Sequence, residues 1–424
     1  MNQKTSTPAA DTPDEAPEWS SVEAALETIR SGGFVVVADG EDREDEGDLI
    51  MAASCITPEA MAFLVRHTSG LACVGMTGDR LDALELPLMV PDARDNRDVL
   101  GTAFTVSVDA VAGMTTGISA VERANTVRAL AHPASRPVDF VRPGHVFPLK
   151  AREGGVLKRA GHTEAAVDLA RLAGMDPAGL LCEIVNDDGT MARRPQLARF
   201  AAEHALPLIT IEQLIAYRRR HERLVDAVSS AAVVTVHGDA VVHAFRSRLD
   251  DVEHAAVVYG DVSGDEPVLV RVHSECLTGD VLGSARCDCG AQLALAQELI
   301  ATRGCGVLVY LRGQEGRGIG LAHKLRAYNL QDDGLDTVDA NLALDLPIDS
   351  REYGIGAQIL IDLGVRSLRL LTNNPAKYEG LSAYGLRIVE RVPVVTERTP
   401  DNARYLDAKR QRMGHALPGP DAAA

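Results

Sequence analysis

At 424 residues the chain is long enough for two domains of about 100 to 200 residues, each able to bury its own core. Apolar residues make up 46% and charged residues 24%, proportions that exclude a fibrous or wholly disordered chain. A net charge of -17 argues against nucleic-acid or anionic-membrane binding, which needs basic patches, and leaves any anionic substrate to local Arg and Lys.

Residues 1–20 are rich in Thr, Pro, Ala and acidic side chains, without the basic start and apolar core of a secretory signal, and are predicted to be a disordered extension. No apolar run approaches the roughly 18 residues of a membrane span. Seven cysteines without an export signal point to a reducing cytoplasm, where thiols are core residues, metal ligands or nucleophiles rather than disulfides.

In chain order, Val22 to Arg30 has helical spacing, and Gly32-Gly33 releases the chain into Phe34 to Ala38, a buried-strand pattern. Thr57-Pro58 opens a helix ending near Gly70, followed by strands over Leu71 to Met76 and Phe104 to Val108. Helices are predicted over Ser119 to Ala131 and Thr163 to Leu172, the second stopped by Gly174. After the basic helix end at Tyr217 to His221 the pattern turns β-rich from Val233 to Val272. Then come a helix over Gln292 to Arg303, a strand over Val307 to Leu311, and helices near Leu321 to Tyr328 and Ile355 to Leu363. A strand over Leu368 to Leu371 and a helix from Pro375 follow. The expected organisation is a domain over 21–220, a linker over 221–230, a second domain over 231–415 and a tail over 416–424. With no repeat between the halves, these are two different mixed α/β domains in tandem, of α/β and α+β class.

The first chemical constellation starts at Glu41 to Asp48, six carboxylates around Arg43 directly after an apolar strand. Carboxylates this close repel unless a cation sits among them, and hard oxygen ligands favour magnesium or manganese. Alone, such a run also fits a solvated acidic loop. Arg159-Ala160-Gly161-His162-Thr163-Glu164 stands at a helix start, where free N–H groups and the dipole favour a phosphate. His145 in Arg142 to Pro148 and Glu183 in Cys182 to Thr190 complete an acid/base set.

Over Val22 to Tyr217 these segments resemble 3,4-dihydroxy-2-butanone 4-phosphate synthase. The resemblance implies conversion of ribulose 5-phosphate to the butanone phosphate and formate with two magnesium or manganese ions. It further implies Glu44 and His162 as metal ligands, and Arg43, Glu44, Asp48, Arg159, Ala160, Gly161, His162, Thr163 and Glu183 as substrate contacts. His145 and Glu183 are the implied acid/base groups. Glu122 departs from the family, which more often has Asp there, and a small geometric change without loss of function is expected.

The second constellation is Cys276, Cys287 and Cys289, a C-x10-C-x-C spacing that suits zinc. Three thiolates leave one position open, as catalytic zinc does; a structural site would recruit Cys305 or His273 as a fourth ligand. The loop Arg312 to Leu321 follows a strand and opens a helix, so its glycines let backbone approach a phosphate. From Val233 to Gly414 the chain resembles GTP cyclohydrolase II, which implies hydrolysis of GTP to formate, pyrophosphate and a diaminopyrimidinone ribosyl phosphate. By that resemblance the three cysteines hold one zinc ion, Asp349 is the proton acceptor, and Arg351 is a nucleophile or, as a permanently charged group, an electrostatic partner of the α-phosphate. Arg271, Val272, His273, Ser274, Glu275, Gln292, Glu315, Gly316, Arg317, Thr337, Thr372 and Lys377 would bind GTP with its magnesium, and Tyr328 would read the guanine edge. The implied protein is a cytoplasmic, bifunctional enzyme of riboflavin biosynthesis, expected as a homodimer. The alternatives are one inactive half that scaffolds the other, and a zinc-bearing nucleic-acid module, which the acidic balance and 4% aromatics oppose.

Overall fold

Val35 to Ala38 are fully buried because successive side chains enter different cores: Val36 and Ala38 join one apolar cluster, Val35 and Val37 another. A strand covered on both faces needs no polar alternation, which explains the unbroken apolar run in the sequence. The computed structural model describes residues 19–419 apart from 42, 93–94, 99, 345, 347–352 and 383, and the chain divides into two units, 1–218 and 219–424.

The first unit is built on a seven-stranded sheet in the order β4-β5-β3-β6-β2-β1-β7. Its strands are β1 (Val35–Ala38), β2 (Gly47–Ala52), β3 (Cys73–Met76), β4 (Val108–Ala110), β5 (Phe140–Lys150), β6 (Ala178–Glu183) and β7 (Leu208–Thr210). β1 runs parallel to β7 and β3 to β5, while the other pairs are antiparallel. The helices Val22–Arg30 and His162–Leu172 pack on one face, and Pro58–His67, Ala120–Ala131 and Arg194–Glu203 on the other.

The second unit holds a second seven-stranded sheet, ordered β14-β13-β11-β12-β10-β9-β8. Its strands are β8 (Val225–Thr235), β9 (Gly238–Ser247), β10 (Glu253–Tyr259), β11 (Val268–Ser274), β12 (Gly306–Leu311), β13 (Ser367–Leu371) and β14 (Arg387–Val392). β8, β9, β10 and β12 pair antiparallel, and β12, β11, β13 and β14 run parallel. The helix Cys289–Arg303 closes one face through Ala296 and Ile300.

The structure differs from the sequence reading in four places. Most of the 221–230 stretch read as a linker is the start of β8, whose Ala, Ser and Val residues lack apolar alternation because the strand is largely exposed. The strand expected over Phe104 to Val108 is displaced to Val108–Ala110, with only isolated bridges at Phe104 and Thr105. Arg142 to Pro148, compatible with a turn in sequence, lies inside β5. The last helix, Ala403–Arg412, is amphipathic only through Leu406, Ala408 and Lys409 and was not expected.

Candidate active sites

In the first unit, strand ends deliver the carboxylates. Asp39 follows β1, Asp48 lies on β2, and Glu183 ends β6 directly opposite Asp48 in the antiparallel register. Asp39 organises the acidic loop, accepting from Arg43 at 2.6 Å, from the Glu46 amide at 2.9 Å and from the Glu44 amide at 3.3 Å. Arg43 also pairs with Glu44.

His162 is the first residue of its helix and is buried, with Nε2 3.1 Å from the Val37 carbonyl. A carbonyl can only accept, so Nε2 carries a proton and Nδ1 faces Asp48 at 3.6 Å and Glu44 at 3.8 Å. Burial alone would lower the imidazole, but Asp48 and Glu44 outweigh it and hold His162 up at about 9. Burial, with Glu183 and Glu44 nearby, pushes Asp48 up to about 7. The His162 imidazole 3.8 Å away, with Arg43, keeps Glu44 below the usual carboxylate range despite partial burial.

These groups face a cavity of about 580 Å³ lined by Arg43, Glu44, Asp48, Arg159, His162, Thr163 and Glu183. Arg159 is held by Glu164 at 2.8 Å. Ala160 and Gly161 precede the helix without lining the cavity, and His145 is also absent from the lining. His145 sits on β5 with Nδ1 2.7 Å from Asp109 and its backbone amide donating to the same carboxylate at 2.9 Å.

Asp39, Glu44 and His162 bring ligand atoms within 4.8 Å of one another. Two carboxylates and an imidazole suit a divalent cation of the magnesium or manganese kind. Asp48 Oδ1, buried and without a hydrogen-bond partner among the described residues, agrees with a cation or a substrate hydroxyl in the cavity. Asp39 was missed in the sequence, although a carboxylate directly after a buried strand and before Gly40 was the available signal.

In the second unit, Cys276 follows β11, and Cys287 and Cys289 flank Asp288 at the start of a helix. Their sulfurs lie within 4.8 Å of one another, with Cys276 and Cys287 3.8 Å apart. Two tetrahedral zinc ligands at about 2.3 Å from the ion are themselves about 3.8 Å apart, so the donor set fits. Gly279 makes room for it: a Cβ there would stand 2.8 Å from the Cys287 sulfur and 3.1 Å from that of Cys276.

Neither proposed fourth ligand joins the set. His273 directs Nε2 to Asp280 at 3.1 Å, and the Cys305 thiol donates to the Asp261 carbonyl at 3.0 Å. Burial lowers His273 to about 4, so it is neutral. Hydrogen bonds from Cys287 and Cys289, with the Lys324 ammonium 3.1 Å away, hold Cys276 as the thiolate. Lys324 also donates to Thr278 at 2.7 Å and pairs with Glu315.

Two adjoining clefts open on the cysteines. One, of about 650 Å³, is lined by Ser274, Glu275, Gly316, Arg317, Tyr328 and Thr337 among others. The other, of about 510 Å³, is polar and takes Arg271, His273, Gln292, Thr372 and Lys377. The two clefts share Ser274, Cys289, Arg317 and Tyr405. The chain turns sharply at Gly316-Arg317-Gly318, all with positive φ, a backbone that glycine adopts without strain. Val272 lines neither cleft; its carbonyl accepts from Lys377 at 2.9 Å. Glu315 sits beneath the loop, accepting from the Leu277 amide and Lys324. Asp349 and Arg351 lie outside the described residues. Lys324, Asn373, Tyr405, Lys409 and His415 line these clefts and were not singled out in the sequence as site residues.

Residues 23–217 match the family model of 3,4-dihydroxy-2-butanone 4-phosphate synthase, and residues 226–393 that of GTP cyclohydrolase II. The chain is 61% identical over 399 residues to the bifunctional riboflavin biosynthesis protein RIBA 1, chloroplastic, of Arabidopsis thaliana, covering 94% of this chain and 73% of that one. It is 58% identical to the riboflavin biosynthesis protein RibBA of Salinispora tropica, over 94% of this chain and 99% of that one. A crystal structure of RibBX, a two-domain 3,4-dihydroxy-2-butanone 4-phosphate synthase from A. baumannii, superposes with a TM-score of 0.67 at 37% identity, covering 88% of this chain and 99% of that one.

Proposed function

This chain belongs to the bifunctional riboflavin biosynthesis enzymes, joining a 3,4-dihydroxy-2-butanone 4-phosphate synthase to a GTP cyclohydrolase II, and we propose that each activity resides in the cavity described for its unit. The observation that carries the assignment is the gathering of two donor sets of different chemistry, Asp39, Glu44 and His162 in one unit and three cysteines in the other.

In the first cavity, Arg159, Thr163 and the N–H groups at the start of the helix His162–Leu172 hold the phosphate of ribulose 5-phosphate. Magnesium or manganese, two ions at Glu44 and His162, stabilises negative charge on the sugar oxygens when bound. Losing one carbon of a ketose as formate requires repeated proton transfers at neutral pH. Asp48 contacts the substrate, with Glu183 directly across the strand pair as an acid/base group. Arg43 contacts the substrate while fixing Glu44 and Asp39. His145, oriented by buried Asp109 and itself 41% exposed, is the further acid/base group.

In the second unit the polar cleft, with Arg271 and Lys377, holds the triphosphate of GTP and its magnesium, and the larger cleft holds the guanine beside the cysteines. Zinc supplies a water whose pKa is lowered toward about 7. Tyr328 reads the base edge, Thr337 and Glu275 close the cleft around it, and the turn at Gly316-Arg317 approaches the phosphates. Asp349 as proton acceptor and Arg351 on the α-phosphate complete the reading. A homodimer in a reducing cytoplasm agrees with seven free cysteines and with exposed apolar residues such as Ile118, Val121 and Val138 on the first unit.

Formate release measured separately with ribulose 5-phosphate and with GTP, alongside the metal content of the same sample, tests the proposal. Both substrates should yield formate, with about one zinc per chain. Cys287→Ser should remove zinc and GTP turnover together, and full GTP hydrolysis by that zinc-free variant would overturn the second assignment.

A further inference from the structure

Asp288 stands between two of the three cysteines, at the residue preceding the helix Cys289–Arg303. An Asp at this position ordinarily caps its own helix by accepting from backbone N–H groups, but this one makes no such bond. Its carboxylate is buried and spends Oδ1 on Lys409 at 2.6 Å and Oδ2 on the Gln292 side-chain amide at 2.6 Å. Gln292 accepts in turn from Arg271 at 2.7 Å, and Arg271 donates to the Leu371 carbonyl at 2.9 Å. A continuous set of charge-assisted bonds thus runs from β13, through an arginine of the polar cleft, to the cysteine turn and on to the helix Ala403–Arg412.

That helix lies beyond residue 393, where the match to the cyclohydrolase family model ends. It is fastened to the rest of the site at three points. Lys409 holds the cysteine turn, and Arg412 pairs with Asp336 at 2.6 Å and Asp339 at 3.0 Å, around the start of the helix whose first residue is Thr337. Just after the helix, the Ala416 amide donates to the Asn373 carbonyl at 2.9 Å, and Asn373 lines the polar cleft. Between these points Tyr405 lines both clefts, with Lys409 4.4 Å and Arg317 5.7 Å from its ring.

We infer that the helix Ala403–Arg412 is a working wall of the cyclohydrolase site, with Lys409 a positioning residue that sets the Cys287-Asp288-Cys289 turn for metal binding. A buried ion pair contributes little net stability, because desolvation offsets the attraction, but it fixes the position of what it joins. Here that is the backbone carrying two thiolates, so Lys409 acts on the metal through Asp288 as an outer partner of the ligand set. The inference rests on zinc occupying the three cysteines.

The test uses the full chain and compares wild type with Lys409→Met, Lys409→Arg and the double variant Asp288→Asn with Lys409→Met. Zinc retention is read by competition with a chromogenic chelator, and kcat and KM for GTP are measured separately, with ribulose 5-phosphate turnover and circular dichroism as integrity controls. Lys409→Met should lower zinc affinity by about 10- to 100-fold and reduce kcat more than it changes KM, with Lys409→Arg recovering part of both. The double variant removes the uncompensated charge, so it should fold even where the single variant does not, and still release zinc readily. Zinc affinity and kcat at the wild-type level in the folded double variant would overturn the inference. A wild-type protein without zinc would instead overturn the reading on which it rests.

Discussion

Asp48 and Glu183 are cross-strand partners on β2 and β6, so two carboxylates nearly 140 residues apart in sequence meet at the mouth of one cavity. Glu44 joins them from the loop and falls with Asp39 and His162 in the candidate metal-binding set, whereas Glu183 does not. Glu44→Gln and Glu183→Gln should therefore fail differently. Glu44→Gln should raise the magnesium concentration for half-maximal formate release from ribulose 5-phosphate by about 10- to 100-fold. Glu183→Gln should cut turnover at saturating magnesium while leaving that concentration near wild type. Titrating both variants with magnesium decides it, and identical behaviour would remove the distinction.

Gly279→Ala should damage the cysteine cluster without touching a cysteine. The added methyl would meet the Cys287 sulfur at 2.8 Å, the Cys276 sulfur at 3.1 Å and the Cys289 Cβ at 3.2 Å, so it presses on all three cysteines at once. Overpacking of this kind costs about 1 to 3 kcal/mol, and here it falls on the metal site. Zinc content and GTP turnover should fall together while ribulose 5-phosphate turnover persists. Full zinc occupancy in the variant would show that the turn relaxes around the methyl.

Glu122 supplies a pH test. Its carboxylate accepts from the Thr115 amide, from the Thr115 hydroxyl at 2.8 Å, from the Ser119 hydroxyl at 2.7 Å and from the Thr116 amide at 3.2 Å. The Thr115 amide bond leads, with the Ser119 and Thr115 hydroxyls, in holding Glu122 well below the usual carboxylate range. A depressed folded pKa stabilises above the unfolded value of about 4.3 and is lost as pH falls below it. Glu122→Gln should lower the melting temperature of the first activity at pH 7, and the gap should close on acidification below about pH 4. A gap independent of pH would assign the effect to shape.

What the sequence made legible was chemistry concentrated in short segments: the cysteine spacing, the acidic run, the helix start at His162 and the glycine turn. Buried strands such as β1 and β12 were legible because two-sided burial leaves an unbroken apolar run. What stayed hidden depends on pairing distant segments. Asp39 reads as one more acidic residue until its bonds to Arg43 and Glu46 are seen, and Lys409 reads as one of several basic residues near the C-terminus until it meets Asp288, 121 residues away. The first part of β8, up to residue 230, was taken for linker because a largely exposed strand carries no alternation to read.

The domain cut is the last and most direct prediction. Each unit has its own seven-stranded sheet, and each proposed site draws on one unit only. Domains with separate cores usually fold alone. A fragment ending at Arg218 retains the buried Arg218–Asp168 pair at 2.7 Å and should convert ribulose 5-phosphate without zinc. The start of the second fragment is more exacting than the sequence suggested. A cut at Ala231 would sever β8, which begins at Val225. It would also strip Gln358 of three bonds: it accepts from the Leu224 amide at 2.7 Å and donates to the Glu222 and Arg219 carbonyls at 2.8 and 3.2 Å. Loss of these bonds and of the first part of the β8 pairing would leave the edge of the sheet exposed. A fragment from Arg219 should therefore hydrolyse GTP, and one from Ala231 should be markedly less stable or insoluble. Within the full chain, His162→Ala should silence the first activity alone and Cys276→Ser the second alone. If soluble, folded fragments cut at 218/219 were each inactive and recovered only on mixing, independent sites would be refuted and both units would have to contribute to each reaction.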